Sequence, residues 1–314
     1  MRQDHYEFYG FRVACTVPPE AEAVVGRLFG TPLPSGAGAP SSWTPDTVHL
    51  SVELTDTDRA PVPPPYFPQD WDTSDEVVLD TVSSRAVVSP ARRTVRVTLA
   101  RTDLDNPIVW GRWLVEKAFL VLTLRSDRHY GLHAGALSVD GRAALVTADS
   151  GVGKSTFTAW GLFQGADFAG EDAMMRHIDD TEGRFWGHPR CAYLDPALIK
   201  SRPELADAQA APVPARDKSR IEWPALYASR LRPAVRPGAL LVLTRDHETV
   251  RPLPVDAVLD LCRSDFAAGK EDPAVLQRVE SDLRALLSDM ALVEFGLSTD
   301  LDANFVRLAA VLHH

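Results

Sequence analysis

Lysine is scarce in this chain. Only five of 314 residues are lysine, at positions 117, 154, 200, 218 and 270, and arginine supplies the other basic side chains. Together Lys and Arg number 33 against 43 acidic residues, a net charge of −10. That balance excludes the broad basic surface of a nucleic-acid binder but leaves room for a local basic pocket. Cysteine is equally sparse. Cys15, Cys191 and Cys262 lie far apart and are odd in number, which argues against a disulfide framework and against a cysteine-built zinc site. A reducing cytosol is the simplest compartment. No apolar run approaches the roughly 20 residues of a membrane-spanning helix. Residues 1–7 carry charges where a signal peptide would have its apolar core. The expectation is a soluble, cytoplasmic protein with no nucleic-acid or membrane partner. With 45 % hydrophobic residues, the chain can build one large domain or two ordinary ones.

One of the five lysines stands in the segment Ala148-Asp149-Ser150-Gly151-Val152-Gly153-Lys154-Ser155. An apolar run at 142–147 suits a buried strand ahead of it, and 156–163 can continue behind it as a helix. Strand, glycine-rich turn and helix start together make an anion trap. Backbone N–H groups point inward and the helix N-terminus adds partial positive charge. The nucleotide-binding set is then Asp149, Ser150, Gly151, Val152, Gly153, Lys154, Ser155 and Thr156. Lys154 would reach β- and γ-phosphates, and Ser155 would ligate Mg²⁺. The position that normally carries the first glycine of this motif is Ala148, whose methyl disfavours positive φ.

The first third reads as a β-rich region. Strands are expected at 8–17, 48–54, 76–80, 85–88 and 94–99, with Val48, Leu50, Val52 and Leu54 alternating onto one face. The pattern suggests an antiparallel sheet with a helix at 18–29. Pro-, Gly- and Ser-rich stretches at 31–47 and 59–68 read as surface loops. At 107–124 the apolar period becomes helical, predicting one long amphipathic helix. From 132 onward the chain reads as α/β. Strands are expected at 134–139, 143–146, 239–244 and 293–297, and helices at 254–263, 273–287 and 301–312. Asp140-Gly141 marks a hairpin turn. The division is an N-terminal α+β region at 1–126 and an α/β P-loop domain at 127–314.

Glu171 and Asp172 follow Lys154 by 17 and 18 residues. One helix and one short strand fit in that distance, so the acidic pair would end the adjacent strand and face the phosphates. One of the two carboxylates can hold Mg²⁺, directly or through water, and the other can accept a proton from an attacking hydroxyl. His133 opens the strand before the loop strand. Its small neighbours Ala134, Gly135 and Ala136 permit close approach by a ligand or another backbone. His177, Asp179 and Asp180 read as part of a hairpin turn rather than a metal cluster, and His313 and His314 as a tail.

From Leu132 to Asp172 the chain resembles the HPr kinase/phosphorylase superfamily. That family reads Leu-His-Gly, two strands, a Gly-Asp-Ser-Gly-x-Gly-Lys-Ser loop, a helix and an acidic pair. The chain is similar in particular to the shorter HPr-kinase-like proteins found beside peptide- and natural-product-biosynthesis genes. Trp186-Gly187-His188-Pro189-Arg190 and Asp217-Lys218-Ser219-Arg220 look like counterparts of their downstream segments. The strong part covers about forty residues. The resemblance implies an HPr-kinase-like catalytic domain. In it Ser155 and Asp172 would hold Mg²⁺, Glu171 takes the place of the proton-accepting aspartate and His133 lies near the transferring phosphoryl group. Arg190, Lys218 and Arg220 would offset transition-state charge. The Glu-Ile-Arg-Gly-type segment of true HPr kinases is missing, so HPr as substrate, phosphorolysis and hexamer assembly are not implied.

The expectation is an ATP- and Mg²⁺-dependent kinase for a hydroxyl of a small metabolite or a peptide serine. A homo-oligomer is compatible with it. The alternative is a non-catalytic nucleotide-binding regulator or degenerate kinase that presents a peptide or partner protein. A guanine-reading Asn-Lys-x-Asp motif and a transporter-type Ser-Gly-Gly-Gln motif are both absent from the sequence.

Overall fold

The computed structural model describes residues 2–32, 45–57, 59–63, 71, 74–205, 210–213, 217–223 and 227–313. Most of the loop expected at 31–47, part of that at 59–68, and His314 lie outside the described residues. The chain is a mixed α/β protein with several sheets. It divides into two units, Met1–Asp127 with Val213–Arg216, and Arg128–Pro212 with Asp217–His314.

In the first unit, β1 (Arg2–Phe8), β2 (Phe11–Val17), β3 (Thr47–Thr55), β4 (Val77–Asp80), β5 (Arg85–Ser89) and β6 (Thr94–Ala100) form one sheet in the order β1-β2-β3-β6-β5-β4. The expected segment 8–17 is really the end of one strand and the whole of the next. Tyr9 and Gly10 turn the chain with φ of 52° and 80°. Gly10 suits such a turn, but a tyrosine at positive φ is uncommon, so Tyr9 masks it within an apolar run. The sheet is also mixed, not antiparallel: β2 pairs with β3, and β3 with β6, in parallel. Alternation along a strand reports which side is buried, not the direction of its neighbours. A 3₁₀ turn at Pro19–Ala21 leads into α1 (Glu22–Phe29).

The helix expected at 107–124 forms, with two differences. Ile108–Glu116 winds in wide π-type turns before Lys117–Leu124 continues as α-helix; the pair is called α2. It is buried nearly all round, with only Arg112, Lys117 and Leu120 half-exposed, so it is a core helix rather than an amphipathic one. Asn106 caps it, its side-chain oxygen accepting the N–H groups of Ile108 (3.1 Å) and Val109 (3.3 Å). Phe119 of α2 meets Phe8, Phe11 and Phe29 edge-on at ring separations of 4.9, 5.8 and 6.3 Å.

In the second unit, β7 (His129–Leu132) precedes the expected hairpin of β8 (Ala134–Val139) and β9 (Arg142–Thr147). Asp140 and Gly141 join the hairpin strands with φ of 50° and 80°, the conformation that Asp-Gly favours. Next come α3 (Lys154–Phe163), β10 (Asp167–Gly170), β11 (Met174–His177), β12 (Phe185–Trp186), β13 (Cys191–Leu194), α4 (Pro196–Lys200), β14 (Ala210–Pro212), β15 (Ser219–Glu222) and β16 (Ala234–Val235). The chain ends with β17 (Pro237–Thr244), β18 (Val250–Pro252), α5 (Val255–Phe266), α6 (Pro273–Ser288), β19 (Ala291–Gly296) and α7 (Leu301–His313).

The main sheet runs β10-β8-β9-β17-β19-β18, with β9, β17 and β19 parallel. Both sides are covered, which is why its strands read as unbroken apolar runs. Ala143 and Leu145 pack on one side with Val258, Phe266, Val279 and Leu283 of α5 and α6. Ala144 and Val146 pack on the other with Phe157 of α3 and Leu308 of α7. A small sheet, β13-β15-β14, joins α3 through Ala159, Leu162, Leu194, Ile221 and Trp223. Among the described residues no helix is long and apolar enough to cross a membrane.

Candidate active site

The glycine loop leaves the C-terminal end of β9 and turns straight into α3. Its two glycines are required by conformation: Gly151 and Gly153 have φ of 85° and 125°. Ala148 is not among the residues with positive φ, and it packs against the apolar cluster of Val146, Phe157 and Leu243. Its methyl therefore brings no backbone strain. The first α3 turn closes when Phe157 N–H donates to Gly153 O at 2.8 Å. The amides ahead of it lie before the first intrahelical bond, as at any helix start. Arg245, just past β17, steadies the loop by donating from Nε to Val152 O at 2.7 Å.

The strand before the acidic pair is not adjacent to β9, as the spacing suggested: β8 lies between them. Both β10 and β9 run antiparallel to β8, so they run the same way and finish at the same sheet edge. Gly135 on β8 makes this packing tight. A Cβ there would stand 2.7 Å from Thr158 Cγ2 and 3.1 Å from Glu171 Cα. The small residues beside His133 thus admit the backbone of the acidic segment.

Lys154 is buried and links the two segments. Its Nζ donates to Glu171 O at 2.6 Å and lies 3.7 Å from Asp172 Oδ1. Burial pushes its pKa down, opposed by the charges of Asp172 and Glu171. Glu171 is 4 % exposed, and its Oε1 accepts the Tyr193 N–H at 2.8 Å. Oε2 is buried with no hydrogen-bond partner in geometry, although the nearby Ser155 hydroxyl still favours the ionised form. Desolvation, then the charge of Asp172, raises the Glu171 pKa; Lys154, Ser155 and Lys218 oppose the rise.

His133 lies in the break between β7 and β8, belonging to neither strand. Its half-exposed ring brings Nδ1 within 3.5 Å of Asp172 Oδ1. Its N–H donates to Asp265 Oδ2 at 2.9 Å, and its carbonyl accepts from Thr147 Oγ1 at 3.2 Å. Lys218, 63 residues beyond Ser155, donates from Nζ to Ser155 Oγ at 3.3 Å. The structure thus brings Lys154, Ser155, Glu171, Asp172, His133 and Lys218 together.

Arg190 and Arg220 lie in or beside the small sheet β13-β15-β14. Arg220 is buried, and its Nη1 donates to the Tyr193 hydroxyl at 2.8 Å while Nε lies 3.9 Å from Glu222. It stands behind the residue whose amide holds Glu171. Arg190 lies in the turn before β13, where its carbonyl accepts the Trp223 N–H and Glu222 supplies the neighbouring charge; burial lowers its pKa. Strand pairing sets Tyr193 opposite Arg220 and Cys191, next to Arg190, opposite Glu222. Asp180 is likewise structural: fully buried, it takes ion pairs from Arg176 and Arg184 in the β11–β12 hairpin.

Tyr193, Asp265 and Arg245 had not been singled out in the sequence. Tyr193 acts on Glu171 through a backbone amide, which any residue other than proline can supply. Asp265 and Arg245 are surface-type residues at element ends, and only the fold brings them to the site.

No family model matches this sequence, and no curated protein matches it. Among solved structures, the Hpr(Ser) kinase/phosphatase from Coxiella burnetii aligns with 57 % of this chain and 94 % of its own length. The identity is 10 % and the TM-score 0.33.

Proposed function

We propose that this protein is an ATP- and Mg²⁺-dependent phosphotransferase with a hydroxyl acceptor, carried by a small metabolite or a peptide serine. The observation that carries this reading is the Lys154 bridge. One ammonium of the glycine loop contacts Glu171 O at 2.6 Å and Asp172 Oδ1 at 3.7 Å. The loop amides and α3 N-terminus supply an anion seat, and the acidic pair stands beside it.

The donors suit magnesium. Ser155 Oγ and the Asp172 carboxylate are hard oxygen ligands, the class that Mg²⁺ takes. Ser155 and Asp172 would hold the ion, which supplies charge neutralisation for the phosphates. Lys154 and Lys218 add positive charge where it builds up on phosphoryl oxygens. Glu171 accepts the hydroxyl proton; its raised pKa brings its basicity closer to neutral pH, where general bases are effective. His133, on Asp172, lines the mouth. Arg220 acts through Tyr193 and is a positioning residue.

One observation favours the alternative of a non-catalytic nucleotide-binding regulator. Glu171 is almost fully buried and one of its oxygens is already occupied by Tyr193 N–H. Calorimetric ATP titration combined with a turnover assay against hydroxylated metabolites and serine peptides separates the two. A kinase binds ATP, loses binding in Lys154→Ala by at least about tenfold, and loses turnover but not binding in Glu171→Gln. ATP binding without turnover in the wild type supports the regulator, and full turnover in Glu171→Gln removes Glu171 as base.

A further inference from the structure

Lys218 is one of only five lysines, and it stands where a metal ion is expected. It immediately precedes β15, which packs through Ile221 into the cluster that also contains Ala159 and Leu162 of α3. That packing brings its ammonium to Ser155 Oγ at 3.3 Å, on the first turn of α3. Its charge acts on Glu171 and on Lys154, so it lies within the same electrostatic cluster. The cluster holds two ammonium groups, Lys154 and Lys218, against two carboxylates, Glu171 and Asp172. A hydroxyl that accepts from an ammonium offers it the lone-pair side that a cation would also use. Mg²⁺ on that oxygen would sit about 2.0–2.1 Å away, leaving two cations crowded around one oxygen.

We propose that Lys218 is a resident cation at the Ser155 hydroxyl, which balances the acidic pair without metal and competes with a divalent ion for that position. The inference rests on the phosphotransferase reading, since it takes Ser155 as a metal ligand. Lys218 must leave Ser155 when the metal arrives with nucleotide, and it is then free to turn to the phosphates. Metal entry without nucleotide is disfavoured because it adds a cation to a cluster whose two carboxylates are already balanced by two ammonium groups.

The test is Mn²⁺ binding to nucleotide-free protein, followed by electron paramagnetic resonance. Lys218→Ala and Lys218→Gln are expected to bind Mn²⁺ at least about tenfold more tightly than wild type, the scale of removing a like charge a few ångströms away. Lys218→Arg keeps the charge and is expected to stay near wild type. Thermal unfolding of each variant separates a charge effect from a folding defect, and the glutamine variant keeps a polar head if the alanine variant unfolds. Unchanged Mn²⁺ affinity in the folded neutral variants overturns the proposal. ATP uptake with Mn²⁺ in the same samples shows whether the phosphotransferase reading survives that result. If wild type takes up no ATP with or without Mn²⁺, that reading falls and the inference with it.

Discussion

Burial of Glu171 sets the proton affinity on which the proposed base chemistry depends. Desolvation raises its pKa, so turnover is expected to climb with pH as the carboxyl ionises. The same shift costs stability. Below the ordinary value of 4.5 the group is protonated in both folded and unfolded chains, and the burial of its charge costs nothing. As pH rises, the unfolded chain ionises first, so stability falls until the folded-state pKa is passed. Glu171→Gln is therefore expected to be more stable than wild type at pH 8, by about 1 kcal/mol, the usual scale of a stability–activity conflict. The gap should close as pH falls toward 4. Urea unfolding across that range measures it, and a variant less stable at pH 8 would show that the ionised form is favoured by the fold. Ala148 makes the opposite point. Its departure from glycine looked costly in sequence but sits at an ordinary φ.

Tight approach between elements places the acidic pair. β8 can lie between β9 and β10 only because Gly135 leaves room for Thr158 and the Gly170–Glu171 backbone. Gly135→Ala adds an atom 2.7 Å from Thr158 Cγ2, and overpacking of this kind costs about 1–3 kcal/mol. The expected result is a lower urea midpoint together with a fall in kcat at temperatures where the variant stays folded, because Glu171 Cα must shift. Wild-type kcat in the folded variant would mean that the acidic segment moves independently of β8. Legibility in the sequence followed the same division. The β8–β9 hairpin, the glycine loop, β17 and helices α5 to α7 were readable because apolar period and turn chemistry agree there. The short strands β11 to β16 were not, since two to four residues are too few to show a period. The turn at Tyr9-Gly10 was masked by a tyrosine at positive φ, and the parallel pairing of β3 left no mark in residue type.

Across the molecule, chemistry-bearing residues from distant parts of one unit meet at a single sheet edge. His133 precedes the hairpin, Lys154 and Ser155 open α3, Glu171 and Asp172 directly follow β10, and Lys218 arrives just ahead of β15. Motif spacing made the loop and the acidic pair visible, and resemblance pointed to the Lys218 segment. It could not separate Lys218, which touches Ser155, from Arg220, which supports Tyr193, because two positions along a strand decide it. The first unit, with its mixed sheet and largely buried α2, contributes none of these six residues. The most direct test of the central claim is a crystal structure with a non-hydrolysable ATP analogue and Mn²⁺. The account predicts phosphates seated on the amides of residues 150–155, with the metal between Ser155 and Asp172. Phosphates bound elsewhere, or an acidic pair turned away from them, would contradict it.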